Sequence, residues 1–211
     1  MNLLYKMPSL VANFYDCILD LIYCGSFLQK KTDRKGTTPG YTSSQSCRYI
    51  ILQSIFKHMS LNTRANFLDV GCGQGRILAY LLRKSEWDLT GVDSNKLALQ
   101  VCRKWSGKTR IKTIEQDVFR FDISNYDIFF LGHPFDYNHL LLFVEKMEME
   151  VKKNTIVIVV HDMDTGDSIS KRKGWSIIKQ EQICRFCYLP LPPQKMRFSI
   201  YSYRPRMYDY N

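Results

Sequence analysis

The sequence predicts an α/β protein built on a mostly parallel sheet, and three observations predict it. A short apolar segment, Phe67 to Val70, breaks into Gly71, Gly73 and Gly75 and then enters the helix-like Arg76-Ile77-Leu78, which is the strand, turn and helix order of an open α/β sheet. The apolar runs Leu89 to Asp93, Tyr126 to Leu131 and Ile156 to Val160 then alternate with helix-patterned segments. The chain, at 211 residues, is long enough for one such domain with an extension.

Composition narrows the class. A hydrophobic share of 45% is that of a chain with a packed core. The seven cysteines are odd in number and scattered, and no segment reads as a signal peptide, so a reducing cytoplasm is expected. A net charge of +10 suits an acidic partner, such as nucleic acid or a membrane surface, and equally suits plain solubility. A spanning helix needs roughly 20 apolar residues. The nearest stretch, Leu10 to Leu28, is interrupted by Asp16 and Asp20.

Taken in order, Leu10, Phe14, Ile18, Leu21, Ile22 and Phe27 recur at helical spacing between Ser9, a candidate N-cap, and Gly25, a candidate stop. This predicts a helix that covers part of the core with that apolar stripe. Residues 30–40 are polar and glycine-containing, a connection. Residues 1–40 thus read as a helical extension and linker, and residues 41–211 as the main domain. The hydroxyl-rich Tyr41-Thr42-Ser43-Ser44 precedes a second helix over Ser46 to Met59.

The glycine turn comes next. Three glycines on alternate positions let the backbone turn sharply and let a ligand approach the peptide plane. The helix behind them offers free N–H groups and a partial positive charge. A dinucleotide turn reads G-x-G-x-x-G, whereas Gly71, Gly73 and Gly75 follow G-x-G-x-G, with Asp69 two residues ahead. Asp93 ends the second strand, where an ionised carboxylate can accept two ribose hydroxyl protons or cap the helix that follows. Ile111 to Glu115 is the third strand, and Gln116-Asp117-Val118 follows it.

This set resembles class I S-adenosylmethionine-dependent methyltransferases, over about Tyr41 to Tyr203. The resemblance implies a Rossmann-like fold: a seven-stranded, mostly parallel sheet with helices on both faces and one antiparallel strand near the end. It implies S-adenosylmethionine as cofactor, held by Asp69, Gly71, Gly73, Gly75, Asp93 at the ribose, Asp117 at the adenine amino group and Val118 against the ring. In a group of small bacterial methyltransferases a Tyr-x-Pro-Thr/Ser stretch closes over the cofactor, which implies that role for Tyr41 and Thr42, although the proline is missing here.

Gly132-His133-Pro134-Phe135 follows the fourth strand. It is placed where methyltransferases acting on nitrogen carry Asn/Asp-Pro-Pro-Phe/Tyr and where the small bacterial group reads more like Tyr-Asn-Pro-Phe. The resemblance implies Gly132 at the cofactor and Pro134 and Phe135 at the acceptor. His133 stands in place of Asn, and a neutral imidazole can accept a proton from a hydroxyl or amine near neutral pH, or simply pin the loop. His161-Asp162 ends the fifth strand at the same rim, so His161 is a candidate acceptor contact.

In the tail, Trp175 to Gln180 and Met196 to Tyr203 read as two further strands. Cys184-x-x-Cys187 lacks a second ligand pair, so no metal is expected. The predicted activity is methyl transfer from a sulfonium to an N or O nucleophile of an unidentified acceptor. A small molecule is favoured because no second recognition domain is evident, and the positive charge leaves RNA or protein open. The alternatives are a non-catalytic basic RNA-binding protein on this fold and an NAD(P)-dependent oxidoreductase, the latter opposed by the glycine spacing.

Overall fold

The computed structural model describes residues 9–28, 46–160, 166–186 and 194–205. Seven strands form one sheet in the order β3-β2-β1-β4-β5-β7-β6. They are β1 (Asn66–Val70), β2 (Asp88–Asp93), β3 (Lys112–Glu115), β4 (Ile128–Leu131), β5 (Thr155–Val160), β6 (Trp175–Phe186) and β7 (Gln194–Tyr203). The first five are mutually parallel, whereas β7 runs antiparallel to both β5 and β6. The expected sheet is therefore present, with β6 reaching well past Gln180.

Among the described residues six α-helices accompany the sheet: α1 (Ser9–Cys24), α2 (Tyr49–Phe56), α3 (Arg76–Lys84), α4 (Lys96–Ser106), α5 (Tyr137–Glu150) and the short α6 (Gly166–Ser170). Strand alternation feeds two cores. Phe67, Ile128, Phe130, Ile158, Phe198 and Ile200 face one side, with α2 and α3. Leu68, Val70, Phe129, Leu131, Val157 and Val159 face the other, with α5. The period of two along each strand assigns neighbouring side chains to opposite faces.

Helix α1 packs on α3 with the face opposite to the one its apolar stripe predicts. Phe14, Ile18, Leu21, Ile22 and Phe27 are 40–67% exposed, whereas Asp16 and Asp20 are at most 2% exposed. Tyr15, Leu19 and Tyr23 complete the inward side. The reversal has an electrostatic cause. Asp20 receives Arg76 of α3 through two hydrogen bonds of 2.9 and 2.7 Å, and also the Leu28 N–H at 3.0 Å. Asp16 accepts the Tyr49 N–H at 3.1 Å and lies 3.7 Å from Arg48 and 3.8 Å from Arg76. Buried charge is tolerated when it is paired and hydrogen-bonded. Here the partner of α1's carboxylates lies some 56 residues further along the chain.

Among the described residues no helix is long and apolar enough to cross a membrane.

Candidate functional site

The site is built at the carboxyl ends of β1, β2, β3 and β4, where an open parallel sheet leaves a crevice. The turn after β1 is held to β2, with Gly71 N–H and Cys72 N–H donating to the Val92 carbonyl at 2.8 and 3.2 Å. Gly71, Gly73 and Gly75 have φ of 73°, 54° and 85°, the left-handed region that costs other residues free energy.

Close packing reinforces that requirement. A Cβ on Gly75 would stand 2.5 Å from Cys102 Sγ and 2.9 Å from the Trp105 ring, and one on Gly71 would stand 2.8 Å from Pro134 Cβ. The glycines therefore bring the cradle against α4 on one side and against the loop after β4 on the other. Trp105 Nε1–H adds a bond to the Gln74 carbonyl at 2.9 Å. Helix α3 starts directly behind Gly75.

Asp93 ties the cradle together. Its Oδ2 accepts the Gly73 N–H at 2.7 Å, and its Oδ1 accepts the Asn95 N–H at 2.6 Å. An ionised carboxylate has about four acceptor positions, so it can hold several donors at once. The N-cap of α4 is Asn95, whose side chain accepts from Leu97 and Ala98. The capping alternative for Asp93 thus passes to its neighbour.

Asp69 lies deeper. Its carboxyl is 1% exposed and its Oδ2 has no hydrogen-bond partner in the protein. Burial, with the charge of Asp93 nearby, holds its pKa well above the usual carboxylate range. A buried, incompletely satisfied carboxyl beside a second carboxylate suits a ligand that brings positive charge or donors.

Asp117 caps the 3-10 turn over Val118–Arg120 by accepting the Phe119 N–H at 3.0 Å. The Gln116 N–H donates to the Asp93 carbonyl at 3.1 Å, which ties the ends of the second and third strands together. Val118 is 5% exposed and packs in the core beside the sheet.

After β4, Gly132 and His133 lead into Pro134 and Phe135. His133 is exposed and has a φ of 65°, the positive-φ residue other than glycine among those described. Such a backbone persists where the surroundings impose it, often at functional loops. The Phe135 ring is buried between Phe119 and Phe143, with centroids 5.4 and 5.7 Å away. It is a wall fixed from behind, not a protruding contact.

The sequence reading did not single out Asp136 and His139. Asp136 caps α5 by accepting the His139 N–H, and its Oδ1 lies 2.9 Å from His139 Nδ1. Those two hydrogen bonds hold the Asp136 carboxyl below its usual pKa. The S/T/D/N-x-x pattern before an apolar run was the available signal. Tyr41, Thr42 and His161 lie outside the described residues, as does Cys187 of the Cys-x-x-Cys pair. Among the described residues no three His, Cys, Asp or Glu side chains converge as metal ligands.

Residues 67–153 match the family model for a methyltransferase domain. No curated protein matches the sequence significantly. Among solved structures, an RNA methyltransferase from Salinibacter ruber in complex with S-adenosyl-L-homocysteine is similar at 13% identity and TM-score 0.59, over 78% of this chain and 97% of that one. TYW2 from M. jannaschii in complex with AdoMet is similar at 14% identity and TM-score 0.56, over 74% and 75%. TehB from Haemophilus influenzae is similar at 17% identity and TM-score 0.54, over 77% and 64%. At these identities the structures speak for the fold. Residues 67–153 thus match a methyltransferase domain, and the sheet order is that of the Rossmann-like class I methyltransferase fold.

Proposed function

We propose that the protein transfers the methyl group of S-adenosylmethionine to a nitrogen or oxygen nucleophile of a small acceptor, and that the glycine cradle with Asp93 is the observation that carries this reading. The residues fit the cofactor. Asp93 would take the ribose hydroxyls, and Asp117 the adenine amino group, with Val118 as the apolar wall. The Gly71, Gly73 and Gly75 turn and the start of α3 would hold the amino-acid end, beside the buried Asp69 carboxyl. Tyr41 and Thr42 are proposed to close over it.

When bound, the cofactor supplies an already activated methyl group, so the protein's part is positional. It holds the acceptor lone pair in line at about 3–3.5 Å and keeps water out. Gly132, Pro134 and Phe135, with His161, are proposed to shape the acceptor side. Phe135 is fixed for this by its packing on Phe119 and Phe143. His133 is proposed as the base where the acceptor must lose a proton, because its exposed ring stands on a loop that packs against the cradle through Pro134.

The charge layout supports a small acceptor. Asp93, Asp117 and Asp136 stand at the carboxyl ends of the strands. The basic residues Arg64, Arg110, Lys152 and Lys153 lie before β1, β3 and β5, and Arg83 and Lys84 in the last turn of α3, while Lys96 and Arg120 stand beside the rim. RNA is the second reading, favoured by the net charge of +10 and by the RNA methyltransferase named among the structural likenesses. Labelled methyl transfer to a fractionated metabolite pool and to total RNA, each with wild type and His133→Ala, decides between them. Label in the metabolite fractions, lost in the variant, is the expected result, and label confined to RNA would replace the small acceptor by RNA.

A further inference from the structure

Helix α1 buries its two charges and leaves its apolar stripe in solvent. Val11, Phe14, Ile18, Leu21 and Ile22 are 48%, 67%, 40%, 47% and 58% exposed, and Phe27 just beyond the helix is 48% exposed. Residues 11, 14, 18 and 21 follow the alternating three and four spacing of a helix-to-helix seam. Isolated exposed hydrophobics are ordinary, but six on one helix and its exit form a contiguous patch of the kind that marks an interaction site.

We propose that this face is an interface between two copies of the chain, with α1 packed antiparallel against α1 across a two-fold axis. Three observations select this occupant. The patch is large enough: taking each side chain at ~150–200 Å2, the exposed fractions amount to roughly 500 Å2 per copy, or about 1,000 Å2 for the pair, near the lower bound of a specific interface. The face is also uncharged. α1 has no Lys or Arg, with no acidic residue in its first turn and no basic residue in its last, and its two carboxylates point inward onto Arg76.

Along α1 itself, a chain of net charge +10 can therefore pair without placing like charges in contact. The same lack of Lys and Arg removes the basic border by which a helix lies on an acidic membrane. Finally, the face is self-complementary. In an antiparallel pair the Val11 end of one copy meets the Leu21 and Ile22 end of the other, and opposed helix dipoles lie side by side. The paired α1 helices would be anchored to each cradle through Asp20 and Arg76.

Sedimentation analysis of the full chain, from low micromolar to submillimolar concentration, tests the proposal on wild type, Ile18→Lys and Phe14→Ser. The expected result is a wild-type dimer whose dissociation constant rises by at least roughly a hundredfold in Ile18→Lys, because the lysine charge would be buried at the seam. Both substitutions lie on the exposed face, so circular dichroism and the affinity for S-adenosylhomocysteine stay at wild-type values. The proposal is overturned by a wild-type chain that stays monomeric across the range, whether or not it binds lipid vesicles or another protein. A dimer that survives both substitutions overturns it as well.

Discussion

Arg76 and Asp20 form a two-point ion pair, at 2.9 and 2.7 Å, that joins the residue immediately after the glycine cradle to the N-terminal helix. Arg76 is 4% exposed and Asp20 is fully buried, and the guanidinium also lies 5.3 Å from the Tyr49 ring centroid. The pair makes α1 a structural support of the cofactor site. Removing one partner leaves a buried charge, which costs about 3–5 kcal/mol. Asp20→Ala is thus expected to lower stability by that amount in urea unfolding and to weaken S-adenosylhomocysteine binding. The double variant Asp20→Leu with Arg76→Met should recover part of the stability, less the bond to the Leu28 N–H and the contact of Arg76 with Asp16, which keeps Arg48. A double variant no more stable than Asp20→Ala would deny the pair this role.

Two glycines with left-handed backbones separate strain from crowding. A methyl at Gly25 meets nothing within 4 Å, whereas at Gly75 it would stand 2.5 Å from Cys102 Sγ. Gly25→Ala pays only the backbone term, about 1 kcal/mol. Gly75→Ala adds a steric clash and is expected to cost about 2–4 kcal/mol and to abolish cofactor binding. Thermal midpoints of the two variants measure the difference, and equal shifts would contradict the packing of α4 on the cradle.

The buried Asp69 carboxyl gives a pH dependence of definite sign. Burial raises its folded-state pKa above the unfolded value, so the folded chain binds more protons once pH exceeds the unfolded pKa near 4. Its contribution to stability is fully present below that value and is lost as pH rises through the folded pKa. Asp69→Asn, which mimics the protonated form, should flatten this slope in chemical unfolding followed across the pH range. A slope identical to wild type would show that Asp69 is ionised in the folded protein.

His133 holds a backbone that glycine adopts more readily, with φ at 65°. His133→Gly is expected to leave stability unchanged or raise it by about 1 kcal/mol or less, while lowering turnover with cofactor affinity intact. The pairing of thermal midpoint with single-turnover rate checks this. Unchanged turnover would reduce His133 to a loop residue.

Much of this architecture was legible because its signals are local. The alternating strands, the glycine turn and the acids at the strand ends each declare themselves within a few residues, and the sheet places Asp69, Asp93 and Asp117 at one rim. What failed was orientation. The stripe Phe14, Ile18, Leu21 and Ile22 announces a helix with an apolar face, but not that Asp16 and Asp20 would face inward. That depends on Arg76 and Arg48, far along the chain, and no periodicity encodes a distant counter-charge. The cap of α4 was likewise misplaced: the sequence offered Asp93 for it, three residues before the helix start, and the structure uses Asn95. The structure gives the cap to Asn95 and the Gly73 N–H to Asp93.

The most direct test of the central claim is calorimetric titration of the protein with S-adenosylmethionine and S-adenosylhomocysteine, repeated on Asp93→Ala with folding checked by circular dichroism. Micromolar binding of both by wild type, weakened by about a hundredfold or more in the variant, is predicted, since the loss removes both the ribose acceptors and the clamp on Gly73 N–H. Absence of binding by folded wild-type protein, or full affinity in Asp93→Ala, would contradict the assignment of the cradle.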